Sequence, residues 1–267
     1  MKLQNRIIPD GDKIVVFDAD AYIAVGVNKI DIEKILLKEK GKNIKAYASL
    51  WILAELLSGG NINTLQNVNK HCADGFGQWR FFADPVSQVY YSLYAAELSY
   101  IGQVKKGIED FLKKALCKGL SEDEKKYIKS QLEQVGNNFV KGCLNYTEDI
   151  RNKKPEEIRR YAISKIIQQA KKIRGSSESI KNEEIDFFKD QFPAAAIYYE
   201  FLMKNILRQT QNRPNEQKLL HDLRDWHLFF YAGRDDVHIV TQEKKIRTLN
   251  LKNVISLEEY CQKVLQI

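Results

Sequence analysis

The stretch KIVVFDADAYIAV, at residues 13–25, constrains the fold more than any other part of the chain. Its β-branched and aromatic run at residues 14–17 predicts a strand that is buried on both faces and followed by a helix. A strand of this kind belongs to a parallel sheet whose strands are joined by helices. The first prediction is therefore an α/β fold in which Asp18 lies at the carboxyl end of a strand.

The same alternation of strand and helix occurs at both ends of the chain, whereas the middle shows almost only helical patterns, such as the one that begins at Pro155. Further strands are predicted at residues 44–47, 237–241 and 254–255, with helices at residues 30–40, 50–57, 214–232 and 257–265 and from Glu243. We therefore predict a parallel-sheet core flanked by helices, built from residues 1–60 and 213–267 and interrupted by a mostly helical insertion at residues 61–212.

Composition limits the classes of protein to consider. With 267 residues, 44% of them hydrophobic, the chain can bury an ordinary core. Its apolar runs are shorter than the roughly 18 residues that a membrane-spanning helix needs. The charged start MKLQNRIIPDGDK lacks the apolar segment of a secretion signal, so a cytoplasmic location without membrane contact is expected. The four cysteines are far apart and have no zinc-site spacing.

Positive charge is concentrated in one predicted helix. The whole chain has a net charge of +7, and residues 151–174 alone contain nine basic and two acidic residues, a difference that is also +7. Such a helix suits a polyanionic partner, because lysine and arginine release the counterions of phosphates on binding. A charged face that is only solvated is the competing interpretation.

Four acidic side chains occupy positions that favour a ligand site. Asp18 and Glu243 follow predicted strands, and ligands gather at the carboxyl ends of parallel strands. Glu55 and Asp225 interrupt apolar faces of predicted helices, where a charge is unfavourable. Carboxylates that share a pocket repel one another unless a hard cation neutralises them, so Mg²⁺ or Mn²⁺ is expected. Helix capping by Asp18 and a favourable first-turn charge at Glu243 remain open.

The segments VVFDADAYI, LWILAELL, DLRDWHLFFYA and HIVTQEKKI resemble, in this order, the four acidic motifs of PIN-domain ribonucleases. The resemblance covers roughly the first sixty and the last fifty-five residues. It implies a PIN-like core that uses Mg²⁺ or Mn²⁺ to cleave RNA phosphodiester bonds. The catalytic and metal-binding acids that it implies are Asp18, Glu55, Asp225 and Glu243, and the supporting residues are Asp20, Asp222 and Thr241.

Two departures from the family pattern are evident. Glu243 stands where aspartate is usual, and Phe229 and Phe230 are bulkier than the residues that commonly follow the third acid. The long helical insertion has no counterpart in compact family members, and we expect its basic helix to position RNA. Some members act in toxin–antitoxin pairs, so a regulatory protein partner is a further expectation, and no oligomeric state is predicted. The expected RNA-binding residues are Arg159, Arg160, Lys165, Lys171 and Lys172.

Two other functions fit parts of the sequence. The opening motif also resembles the Asp-x-Asp signature of haloacid-dehalogenase-like phosphatases, although Tyr22 stands where threonine or valine is expected. The later acidic pair of that family would have to be Asp235 and Asp236, which precede a strand instead of following one. A PIN-like module that binds nucleic acid or protein without cleavage is the second alternative.

Overall fold

A computed structural model describes residues 13–27, 30–59, 62–73, 80–82, 110–111, 114–115, 118–145, 152–173, 175–209, 225 and 227–267. These residues divide into two compact units. The sheet unit comprises the described residues within 13–82, 110–129 and 232–267, and the helical unit comprises those within 130–231.

The described strands of the sheet unit form one parallel sheet in the order β3-β2-β1-β4-β5. Four residues of the central strand β1, Ile14 to Phe17, are fully buried, which is the pattern of a strand covered on both faces. The strands are β1 (Lys13–Phe17), β2 (Ile44–Ser49), β3 (Phe81–Phe82), β4 (Val237–Val240) and β5 (Val254–Ile255). The predicted α/β fold with a parallel sheet and flanking helices is confirmed.

Helices connect the strands of the sheet unit, as a parallel sheet requires. Helix α2 begins after Asp31, whose side chain accepts a hydrogen bond from the Glu33 amide, and ends before the left-handed residue Asn43. The helices are α1 (Ala19–Val27), α2 (Ile32–Gly41), α3 (Leu50–Gly59), α4 (Ile62–Cys72), a short helix Lys244–Arg247, and a terminal helix that is α-helical at Leu257–Glu259 and π-helical at Tyr260–Leu265.

A buried polar network joins four helices of the sheet unit. The carboxyl group of Glu39 on α2 accepts hydrogen bonds from Nε2 of His71 on α4 at 2.9 Å and from the hydroxyl of Tyr260 at 2.8 Å. The other ring nitrogen of His71 lies 2.9 Å from the hydroxyl of Tyr22 on α1. All four side chains are at most 2% exposed, so each polar group forms its hydrogen bonds within the network instead of with water. The ring of Phe17 packs against His71 and both tyrosines.

The helical unit is built by packing of amphipathic helices. Pro155 and Pro193 begin two of its helices, as predicted, because proline at the first helical position needs no hydrogen-bond partner for its nitrogen. Helix α5 (Glu122–Asn145) has residues in both units, and the helical unit continues with α6 (Pro155–Ile173), α7 (Asn182–Gln191), α8 (Pro193–Gln209) and a 3₁₀ helix (His227–Phe230).

The sequence predicts a helix at residues 214–232, but the described part of this segment has a different structure. Residues 227–230 are a 3₁₀ helix, and the chain then turns at Gly233, whose φ of 82° favours glycine. The Phe229 ring stacks on Tyr198 with centroids 3.8 Å apart, and the Phe230 ring contacts Phe188 and Phe192. These bulky aromatic residues are therefore core residues of the helical unit.

Within the described residues, no helix has both the length and the apolar character that a membrane span requires.

Candidate functional site

Asp18 lies at the carboxyl end of β1, in the middle of the sheet. Its amide donates to the carbonyl oxygen of Val240 at 3.0 Å, so it continues the β1–β4 ladder by one residue. Its Oδ1 accepts the amide N–H of Ala21 at 2.7 Å, and the side chain therefore caps α1. The residue is only 6% exposed. The prediction that Asp18 caps the following helix is thus confirmed.

Thr241 connects Asp18 to the segment that contains Glu243. The hydroxyl of Thr241 accepts the amide N–H of Glu243 at 3.1 Å. The same hydroxyl is hydrogen-bonded to the Asp18 side chain and stabilises its ionised form. Because an ionised carboxylate can only accept hydrogen bonds, the Thr241 hydroxyl is the donor in its bond to the Asp18 carboxylate. The fully buried Thr241 therefore fixes both the Asp18 side chain and the start of the loop after β4.

The environment of Asp18 favours the protonated form. The pKa of Asp18 is raised to about 7; burial is the largest cause, and the charges of Asp20 and Glu55 act in the same direction. The hydrogen bonds from Thr241 and from the Ala21 amide act in the opposite direction but do not offset burial. A buried carboxyl group with acidic neighbours is the kind of group that a bound cation would stabilise as a carboxylate.

The sheet unit brings five of the predicted residues to the same edge of the sheet, since Asp20, Glu55 and Glu243 lie there with Asp18 and Thr241. Asp20 is exposed in the first turn of α1, and Glu55 is half-buried on α3, which starts directly after β2. Both interact electrostatically with Asp18. Glu243 is half-buried two residues beyond Thr241 and occupies the N-cap position of the helix Lys244–Arg247, without a capping hydrogen bond from its side chain.

Ser49 is a polar residue at this edge that the sequence analysis missed. Val16 is paired with Tyr47, and extending this register by two residues places Ser49 beside Asp18. Its side chain is 3% exposed and accepts the amide N–H of Trp51 at 3.2 Å, which caps the helix that carries Glu55. The signal was available, because Ser49 ends an apolar strand just as Asp18 does.

Two of the predicted acids are not part of the sheet unit as described. Asp225 belongs to the helical unit, where it is half-buried just before the 3₁₀ helix. Asp222 lies outside the described residues. Their contribution to the site stays a prediction.

The donor chemistry at Asp18 fits a hard divalent cation, since carboxylate and hydroxyl oxygens are the ligands that Mg²⁺ and Mn²⁺ prefer. Within the described ranges, no three histidine, cysteine, aspartate or glutamate side chains are grouped as a metal centre.

The acidic pair needed for a haloacid-dehalogenase-like site lies at the opposite edge of the sheet. Asp235 and Asp236 precede β4, whereas Asp18 follows β1, and the two strands are parallel. Asp236 is bonded to Arg234 at 3.1 Å, and Asp235 pairs with Lys252 at 2.6 Å. This placement disfavours the phosphatase alternative.

The basic residues of α6 have different environments. Arg159 pairs with the buried Glu200, and Arg160 is bonded to the Asn182 side chain. The Lys165 ammonium lies 5.1 Å from the centroid of the Tyr161 ring, a cation–π contact, and Lys172 is exposed.

Lys171 is the exception among the five predicted RNA-binding residues. It was expected on the exposed face of the helix, and this prediction is wrong. It is 2% exposed and pairs with Glu184 on α7 at 2.8 Å. Its ammonium also donates to the Ser179 carbonyl oxygen at 2.9 Å. The apolar stem of a lysine fits a helix–helix interface when the ammonium has partners. The spacing of apolar residues along the helix does not reveal those partners, because they lie elsewhere in the sequence.

Replacement of Lys171 by alanine should lower the free energy of unfolding by about 2 kcal/mol, because Glu184 would lose its partner. Lys172→Ala is the matched control and should change the free energy of unfolding by less than about 0.5 kcal/mol, since the Lys172 side chain is exposed. Urea denaturation of both variants measures the difference. Equal stabilities would contradict the structural role of Lys171.

Comparison of the chain with protein-family profiles, with curated protein sequences and with solved structures gave no significant match.

Proposed function

We propose that this protein is a Mg²⁺- or Mn²⁺-dependent endoribonuclease with a PIN-like core. The observation that carries the proposal is the buried Asp18 carboxyl group, bonded to Thr241 and influenced by the charges of Asp20 and Glu55 at the carboxyl edge of a parallel sheet. The ordered acidic motifs of the sequence add Asp225 and Glu243 to this set.

In the sheet unit, the acids that would hold one or two divalent ions are Asp18, Glu55 and Glu243. When bound, such an ion lowers the pKa of a water molecule and neutralises charge on a phosphate. The residues of the chain prepare the site for this chemistry. The Ala21 amide and the Thr241 hydroxyl hold the Asp18 carboxylate in one orientation, and the Thr241–Glu243 hydrogen bond fixes the loop after β4.

The basic face of α6 would bind RNA through Arg159, Arg160, Lys165 and Lys172. Arg159 and Lys172 have side chains exposed to solvent, as phosphate contacts require. Lys171 contributes structure to this helix rather than a phosphate contact.

Mn²⁺ should raise the melting temperature of the protein, because the ion binds the folded state and replaces the proton on Asp18. The increase should be larger at pH 8 than at pH 5, since protons compete with the cation below the raised pKa of Asp18, which is about 7. Differential scanning fluorimetry with and without EDTA measures this increase. A labelled single-stranded RNA, incubated in parallel, should be cleaved only when Mn²⁺ is present.

The matched control for metal binding is Asp235→Asn, which removes an exposed carboxylate at the opposite edge of the sheet. Its response to Mn²⁺ should equal that of the wild type, whereas Asp18→Asn should lose the response. RNA binding without Mn²⁺-dependent stabilisation or cleavage would overturn the proposal in favour of a non-catalytic module.

A further inference from the structure

The sheet unit contains a cavity of about 520 Å³ at the edge of the sheet opposite to Asp18. Helix α2, the beginning of β2 and Arg80 form its walls. Cavities that hold small molecules commonly have volumes of about 300 to 1,000 Å³. Because β1 and β2 are parallel and Asp18 follows β1, the start of β2 lies at the other end of the strands. The cavity is therefore separate from the proposed nuclease site.

Arg80 provides a fixed positive charge in this cavity. Its Nε donates to the Ala46 carbonyl oxygen at 2.9 Å, and its Nη2 lies 3.3 Å and 3.4 Å from the carbonyl oxygens of His71 and Ala73. These bonds orient the guanidinium but do not neutralise it, since carbonyl groups carry no net charge. In the part of the chain that the structure describes, no carboxylate is paired with Arg80, and its Nη1 group has no bond to a described acceptor.

The other charges around the cavity give it a positive balance. Lys40 and Lys45 also contribute to its walls. The two acids there already have cationic or polar partners: Glu33 pairs with Lys70 at 2.7 Å, and Glu39 is bonded within the buried network. Arg80 and Lys40 therefore supply two cations to a space whose acids are engaged elsewhere. A ligand with two negative charges matches this balance better than a ligand with one.

The remaining walls are apolar. Leu36, Leu37, Ile44 and Ala73 contribute hydrocarbon surface, and the Leu37 side chain is 71% exposed although it borders the cavity. An exposed leucine next to a cationic group is suited to a ligand that has an apolar body as well as an anionic end.

We propose that this cavity binds a phosphate monoester that carries an aromatic or aliphatic group. A phosphate monoester has a charge of about −1.5 to −2 at pH 7, which corresponds to the two charges of Arg80 and Lys40. Its oxygens would accept hydrogen bonds from Arg80 Nη1 and from the Lys40 ammonium, and its organic group would cover Leu36 and Leu37. This inference does not depend on the proposed nuclease activity.

Isothermal titration calorimetry with phenyl phosphate, in EDTA to exclude metal-mediated binding, tests the site. Phenyl phosphate should bind at least about tenfold more tightly than three comparison compounds. Inorganic phosphate lacks the apolar body, phenol lacks the negative charge, and benzoate lacks the second negative charge. No measurable binding of phenyl phosphate would overturn the proposal, and so would tighter binding of benzoate.

Two variants locate the binding. Arg80→Gln should weaken phenyl phosphate about tenfold or more, but it also removes bonds to three carbonyl groups and can impair folding. Lys40→Gln avoids this difficulty because the Lys40 side chain is exposed, and it should weaken binding severalfold. Lys38→Gln, on the same helix but outside the cavity, is the matched control and should bind as the wild type does. Equal affinities of Lys40→Gln and Lys38→Gln would refute this location.

Discussion

Asp18→Asn should abolish RNA cleavage while making the folded protein more stable at pH 8. We expect a loss of activity of at least about a hundredfold, since removing even an outer partner of a metal ligand costs about tenfold to a hundredfold. The amide keeps the size of the side chain and can still accept the Ala21 N–H, so the cap of α1 is retained. Cleavage assays in Mn²⁺ measure the activity, and wild-type rates would refute the role of Asp18.

The gain in stability follows from the raised pKa of Asp18, which is about 7 in the folded protein. Between about pH 4 and pH 7 the folded wild type keeps a proton that the unfolded chain releases, so the free energy of unfolding falls as the pH rises through this window. The asparagine variant has no such proton. In EDTA it should therefore match the wild type near pH 4 and exceed it at pH 8 by up to about 4 kcal/mol.

Urea denaturation at several pH values checks this difference, with Asp235→Asn as the control that should leave the pH dependence unchanged. A wild-type stability that does not fall between pH 4 and pH 7 would show that Asp18 ionises as an ordinary carboxylate does.

Glu39→Leu should destabilise the protein by about 3 to 5 kcal/mol. The substitution leaves the His71 Nε2–H and the Tyr260 hydroxyl without their acceptor in a region that is at most 2% exposed. For a chain of this size, each kcal/mol corresponds to about 2 to 4 °C, so the melting temperature should fall by about 10 °C. Thermal unfolding followed by circular dichroism measures the change.

Glu33→Leu is the matched control, because Glu33 lies on the same helix and pairs with Lys70 at the surface, where its side chain is 68% exposed. Such pairs contribute about 0 to 1 kcal/mol. Similar losses of stability in the two variants would show that the network of Glu39 contributes no more than an exposed ion pair.

Four of the five described strands were predictable because their signals are local, whereas the short edge strand β3 was not predicted. An apolar run such as residues 14–17 fits a strand with two buried faces, and the βα alternation around it requires a parallel sheet. The starts of helices at Pro155 and Pro193 were equally local, since proline and capping residues act on the backbone next to them. The position of Asp18 at the carboxyl edge followed from the same reasoning.

The partners of individual side chains were not predictable in this way. Glu39, His71 and Tyr260 are far apart in the sequence, and their charges and hydroxyl groups would ordinarily indicate exposed positions. Lys171 was assigned to a solvated face for the same reason, although Glu184 makes its burial favourable.

The sequence alone thus determined four of the five described strands, the helix starts at Pro155 and Pro193, and where the first acid lies, because those features depend on neighbouring residues. Only the tertiary structure decided that Thr241 orients Asp18, that Glu39 is buried in a polar network, and that Arg80 faces a cavity. A polar group can be buried only where distant residues supply its hydrogen bonds, and those partners are brought together by the packing of the whole unit.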